Sequence, residues 1–141
     1  MGLSGKMFVK EIWSGDSEIE IEFQNIASTY GFCPKIIRTE QNGERIRIYM
    51  EDVEEEPLAL TYGEDPDDTP EWVWDRIREM VQTLYEEEGI EYVDVTPYNF
   101  IEKEGKVYMI DFGDAKYTDG NPDWFLTEFL EGENSWNPDY K

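Results

Sequence analysis

Between Thr69 and Gly113 the chain sets a helix, a spaced Asp–Asn pair and a hairpin ending in Asp-Phe-Gly one after another, and this joint order constrains the fold more than any single motif does. Thr69-Pro70-Glu71 reads as a helix start: a hydroxyl to accept the orphan amides, a proline at the first helical position, and an acid facing the positive end of the helix dipole. Val73, Ile77, Met80, Val81 and Leu84 then share one apolar stripe, and Gly89 stops the helix. Asp94 and Asn99 follow, five residues apart. A hairpin is predicted next, from Asn99-Phe100-Ile101 to Lys106-Val107-Tyr108-Met109-Ile110 across Glu102-Lys103-Glu104-Gly105. It leads directly into Asp111-Phe112-Gly113.

The first fifty residues supply a smaller set of elements. Met7 to Trp13 is dense in β-formers and predicts a short strand. Asp16 or Ser17 then caps a helix reaching about Tyr30, with Ile19, Phe23, Ile26 and Ala27 on its apolar face and Gly31 at its end. Ile36-Ile37 and Arg45 to Met50 flank Asn42-Gly43, whose tolerance of positive φ makes it a hairpin signal. After Gly113 only Trp124 to Leu130 is periodic enough for a short helix, and no internal repeat is visible.

Composition narrows the function classes. The 141 residues carry 34 acids, 12 bases and no histidine, a net charge of −22, which excludes nucleic acid as a simple electrostatic ligand. Aromatics at 15% supply bulky apolar surface for a core. The single Cys33 cannot form an internal disulfide or a thiolate zinc site. No apolar run is long enough for a membrane span, and the first twenty residues hold no apolar signal core. The acidity is local, with 16 acids against two bases in residues 51–91. That stretch reads either as a connector kept soluble by charge or as a docking face for a basic protein. Asp65-Pro66-Asp67-Asp68 lacks the glycine and distal glutamate of a calcium loop.

At Tyr92-Val93-Asp94-Val95-Thr96-Pro97-Tyr98-Asn99 and Asp111-Phe112-Gly113 the sequence resembles the protein kinase superfamily, whose catalytic loop reads H-R-D-L-x-x-x-N and whose metal-binding triplet reads D-F-G. The resemblance covers roughly residues 7–115. Phosphoryl transfer needs oxygen ligands for Mg²⁺ and a carboxylate near the attacking hydroxyl. The resemblance implies that Asp94 is that carboxylate and that Asn99 and Asp111 hold Mg²⁺ or Mn²⁺. It likewise implies that Lys10 grips the phosphates of ATP and pairs with a helix glutamate. Glu20 is chosen for that partner, with Glu18 and Glu22 one short step away. Tyr49-Met50-Glu51-Asp52-Val53 resembles the hinge whose backbone groups bind adenine, with the strand Arg45 to Met50 running into it, which brings Glu51 and Val53 into the nucleotide set.

The departures from the family's pattern are specific. Tyr92 stands for its histidine, Val93 for its arginine and Thr96 for the lysine that assists the transferred phosphate. Activation by loop phosphorylation is therefore not expected. Gly2-Leu3-Ser4-Gly5-Lys6 is at best a remnant of a glycine-rich loop, and the C-lobe is expected to be truncated.

The fold expected is α+β, a minimal protein-kinase-like domain over residues 1–141. It comprises a reduced antiparallel-sheet N-lobe with one helix over 1–53, an acidic connector over 54–70, the catalytic core of a truncated C-lobe over 71–115 and a tail over 116–141. The function implied is ATP- and Mg²⁺-dependent phosphotransfer to a hydroxyl, with protein Ser or Thr as the acceptor. The competing class is a pseudokinase or acidic protein-binding module. A basic protein partner or substrate is expected, with either a partner or a dimer mate completing the substrate site, and neither nucleic acid nor membrane is expected as a ligand. Such truncated chains are similar to kinase-like proteins of large DNA viruses, and the single cysteine with no signal core leads to the expectation of an intracellular setting, cytoplasmic or nuclear. If residues 51–91 do dock a basic partner, pull-downs at low ionic strength will enrich basic proteins and high salt will release them. Binding indifferent to salt and to partner charge returns the stretch to a connector.

Overall fold

The computed structural model describes residues 6–140, with the backbone alone at Asp16 and Ser17. The Gly2-Leu3-Ser4-Gly5 stretch lies outside the described residues. The chain divides between Glu54 and Glu55 into two compact units.

In the first unit, β1 (Met7–Trp13), β2 (Ile36–Asn42) and β3 (Arg45–Glu51) form an antiparallel sheet in the order β1-β3-β2. Lys10 sits opposite Ile48 in the β1-β3 register. Gly43 holds a φ of 66° in the turn between β2 and β3, a backbone region that costs glycine nothing. Helix α1 (Ser14–Thr29) begins earlier than Asp16 or Ser17, and the residue in its cap position is Trp13, which makes no side-chain cap hydrogen bond. Its start is set by the sheet. The last β1-β3 pair is Trp13 with Arg45, and the next amide, that of Ser14, donates to Glu44 O at 2.8 Å, so strand passes into helix without a loop.

The buried face of α1 is also rotated from the apolar stripe. Phe23 and Ala27 are buried, but so are Glu20 and Gln24, whereas Ile19 is 43% exposed. Polar partners draw these two side chains inward. Glu20 pairs with Lys10 of β1, and Gln24 Nε2 donates to Pro34 O at 2.9 Å beside the Met50 sulfur. Cys33 is buried nearby, and burial pushes its thiol well above the usual range, so it is an inert core group.

In the second unit, α2 (Leu58–Thr61) and a 3₁₀ turn (Pro66–Asp68) precede α3 (Glu71–Glu88). The strongly acidic stretch is thus partly anchored: Leu58 is fully buried and the Ala59 amide donates to Pro97 O at 2.9 Å. All five stripe residues of α3 are fully buried, joined by Trp74. The helix stops at Gly89, whose φ of 67° is the left-handed cap geometry. Its beginning differs from expectation. Pro70 occupies the cap position and no side chain caps the helix, while the Thr69 hydroxyl is buried with no hydrogen-bond partner among the described residues. Thr69 closes the preceding 3₁₀ turn, its amide spent on Pro66 O, and Asp65 caps that turn instead by accepting from the Asp67 amide.

Beyond α3, β4 (Ile90–Glu91) pairs with β7 (Lys116–Tyr117), and β5 (Phe100–Lys103) pairs with β6 (Lys106–Met109). The β5-β6 turn is only Glu104-Gly105, both at positive φ, so the strands run closer to the tip than the four-residue connection read from sequence. Helix α4 (Trp124–Leu130) is capped by the Asp123 carboxylate and buries Phe125, Leu126 and Phe129. No helix among the described residues is long and apolar enough to cross a membrane.

The rotated face of α1 yields a direct test by urea unfolding. Phe23→Ala should cost about 3–5 kcal/mol as a buried aromatic truncation. Ile19→Ala should stay within about 0.5 kcal/mol, as at other exposed surface positions. Equal losses at the two positions would put Ile19 back in the core.

Candidate active site

The first unit fixes one cation. Lys10 projects from β1 toward α1 and forms an ion pair with Glu20, whose side chain is 8% exposed against 24% for the lysine. Glu18 and Glu22 are exposed on the helix. A partly dry pair is attracted more strongly than one in water, so the ammonium is held in one place. Along the end of β3, the Glu51 amide donates to Lys35 O and the Glu51 carboxylate accepts from the Lys35 amide at 2.9 Å. The Asp52 amide donates to Lys6 O at 3.1 Å, and Val53 is buried. Glu51 and Val53 thus lie in a segment tied down on both sides.

The second unit brings Asp94, Asn99 and Asp111 together within itself. Gly89 turns the chain out of α3 through β4 and into the loop that carries Asp94, which is 7% exposed. Asn99 is the hub of that loop. Its Nδ2 donates to Asp94 O at 2.9 Å, its amide donates to Thr96 O at 3.2 Å, and its carbonyl accepts from Ile110 N at 3.0 Å. With the amide nitrogen spent on Asp94, the side-chain oxygen of Asn99 is the group turned elsewhere. Tyr92 is fully buried and donates its hydroxyl to Asp111 O at 2.7 Å, packing edge-on to Phe100 and Phe112. The tyrosine in the histidine position thereby ties the loop to the Asp111-Phe112-Gly113 segment. Asp111 Oδ1 accepts from the Gly113 amide at 2.8 Å, closing a tight turn that orients its carboxylate.

The neighbours of Asp94 are acids. Burial raises its carboxyl to about 6, assisted by a hydrogen bond with Asp114 and by the charges of Asp114 and Asp111, while the Asn99 hydrogen bond pulls the other way. Asp114 was not singled out from sequence, although it directly follows Gly113. Tyr140 also comes under these acids: burial, then Asp114, Asp123, Asp94 and Asp139, hold its phenol above the ordinary range. Thr96 is buried and its hydroxyl accepts from the Tyr98 amide at 3.3 Å. No group of three or more His, Cys, Asp or Glu side chains among the described residues is arranged to hold a metal unaided. Asn99 and Asp111 are hard oxygen donors. Such a small set suits Mg²⁺, which is bound through one or two carboxylates together with water and phosphate oxygens.

The family model of the RIO domain matches residues 13–131. The chain belongs to the RIO domain family. RIO domains are atypical protein kinases, so at the family level this chain is kinase-like, and that superfamily uses ATP and a divalent cation in general. Among solved structures, the kinase PK-1 of Cydia pomonella granulovirus matches with a TM-score of 0.69 at 14% identity, over 86% of this chain and 48% of that one. The likeness establishes the kinase-like α+β fold, and the RIO domain described here spans about half the length of the viral kinase. No curated protein sequence matches the chain.

The acid cluster is measurable by carbon-13 titration of the Asp94 carboxyl. Its midpoint should lie at about 6. Asp114→Asn removes a carboxylate and leaves an amide donor, so the midpoint should move down toward the ordinary carboxylate range near ~3.9. An unchanged midpoint in Asp114→Asn would show that Asp114 contributes nothing and that burial and the Asp111 charge suffice.

Proposed function

We propose that this RIO domain is an ATP- and Mg²⁺-dependent phosphotransferase that transfers the γ-phosphoryl group to a hydroxyl, with protein Ser or Thr as acceptor. The observation that carries this is the grouping of buried Asp94 with Asn99 and Asp111 inside one unit. In the first unit, Lys10, held by Glu20, supplies a fixed positive charge for phosphate oxygens. In the second unit, Asn99 and Asp111 would hold the divalent ion, which when bound neutralises charge on the phosphates. Asp94, largely ionised at neutral pH with its carboxyl near 6, accepts the proton of the acceptor hydroxyl. The net negative charge of residues 51–91 supports an acceptor or partner with basic surface.

One observation favours the pseudokinase alternative: Val93 and Thr96 occupy positions where the family's pattern has Arg and Lys, so the loop contributes no cation of its own. The two possibilities separate on turnover. With labelled ATP, Mg²⁺ or Mn²⁺ and candidate proteins, the chain should transfer phosphate slowly, below the ~1–100 s⁻¹ usual for kinases. Asp94→Asn should abolish transfer while keeping the Mg²⁺-dependent rise in Tm that ATP produces. Asp111→Ala should lose that rise and still fold. Nucleotide protection without turnover in the wild type would assign the chain to the pseudokinases, and equal protection in Asp111→Ala would move the metal site elsewhere.

A further inference from the structure

Three consecutive carbonyls at Asp94 and its neighbours each accept a hydrogen bond from an asparagine. Asn137 Nδ2 donates to Val93 O at 2.8 Å, Asn99 Nδ2 donates to Asp94 O at 2.9 Å, and the Asn137 amide donates to Val95 O at 2.8 Å. Asn137 is 2% exposed. Its side-chain oxygen accepts from the Asp139 amide at 3.0 Å and its carbonyl from the Tyr140 amide at 3.3 Å, so the residue is bonded through its side chain and its backbone alike.

The segment bearing Asn137 is itself anchored. Arg78 of α3 donates from Nε to Phe129 O at 3.1 Å and from Nη2 to Asn134 O at 3.0 Å. Trp136 lies against Trp74 of α3 with ring centroids 4.2 Å apart. The chain after α4 therefore returns to the Asp94 loop as a strap fastened to α3 on the way. Val93, buried and apolar, offers the loop no polar side chain with which to hold itself. Apart from Asn137, the partner shown for Val93 O is the amide of Val95, two residues on, which closes a three-residue turn at 2.8 Å.

We infer that Asn137 is a positioning residue for phosphoryl transfer, its amide donors holding the Val93–Val95 backbone so that Asp94 and Asn99 keep one orientation. The inference rests on the phosphotransferase reading for its consequence and on the hydrogen bonds alone for the tether. Backbone misplacement of about 1 Å is enough to cost roughly a hundredfold in rate, so the tether has catalytic leverage although Asn137 touches no substrate.

The test compares Asn137→Ala with Asn137→Asp in the full chain. Aspartate keeps the shape and the acceptor toward Asp139 but sets an acceptor against Val93 O, so both variants lose that hydrogen bond while only alanine also opens space. Both variants should raise hydrogen exchange at amides 93–99 by about tenfold or more while buried amides of α3 keep their protection. Both should lower kcat by roughly ten- to a hundredfold with KM for ATP nearly unchanged. Wild-type exchange and kcat in Asn137→Asp, or exchange that rises equally across the second unit, overturns the inference. If the wild-type chain shows no turnover with any acceptor, the phosphotransferase reading fails by itself, and the exchange pattern decides the tether alone.

Discussion

A carboxylate taken out of water must be hydrogen-bonded, paired or protonated, and at Asp94 the surrounding groups make each choice costly. Two of its neighbours, Asp111 and Asp114, are acids, and one, Asn99, is an amide. The second unit meets this constraint with backbone order. Asn99 and Asn137 hold the three carbonyls from Val93 to Val95, and Tyr92 links the loop to Asp111 through its hydroxyl. Beneath them, α3 provides a fully buried stripe, and Phe100 and Phe112 pack edge-on to Tyr92. Packing fixes the frame, and the asparagines hold the backbone that carries the Asp94 carboxylate.

The first unit solves a smaller version of the same problem. A half-buried ammonium on β1 needs a counter-charge, and α1 turns Glu20 inward to provide it. That demand outweighs the burial of Ile19, because leaving a partly buried charge unpaired costs more than exposing one aliphatic side chain. Gln24 follows Glu20 into the interior one helical turn later, where Pro34 O and the Met50 sulfur receive it. The sheet order β1-β3-β2 and the absence of a loop between β1 and α1 keep Lys10 and Glu20 in reach of each other.

Local hydrogen bonds and burial give the three departures from the kinase pattern a physical meaning. Tyr92 takes the histidine position and reaches the Asp111 carbonyl with its hydroxyl. Val93 in the arginine position becomes core, and its carbonyl is taken up by Asn137. Thr96 in the lysine position spends its hydroxyl on the Tyr98 amide, which shapes the loop and adds no charge. At all three positions the residue serves the structure of the loop and adds no charge to it.

The sequence alone determined the local elements, because their signals are short-range. The α3 stripe and its Gly89 stop, the hairpin glycine Gly43, the α4 segment and the five-residue spacing of Asp94 and Asn99 depend on neighbours a few residues away. Tertiary structure decided which faces and caps were used. The first turn of α1 follows the end of the β1-β3 ladder, and Thr69 is committed to the turn before α3, both set by backbone partners that propensity does not register. It also selected Glu20 from among Glu18, Glu20 and Glu22, and brought Asp114, Asn137 and Tyr140 to Asp94. Asn137 lies 43 residues from Asp94 along the chain and has no periodic or motif context. Only the return of the chain over α3, held by Arg78 and Trp74, makes them neighbours.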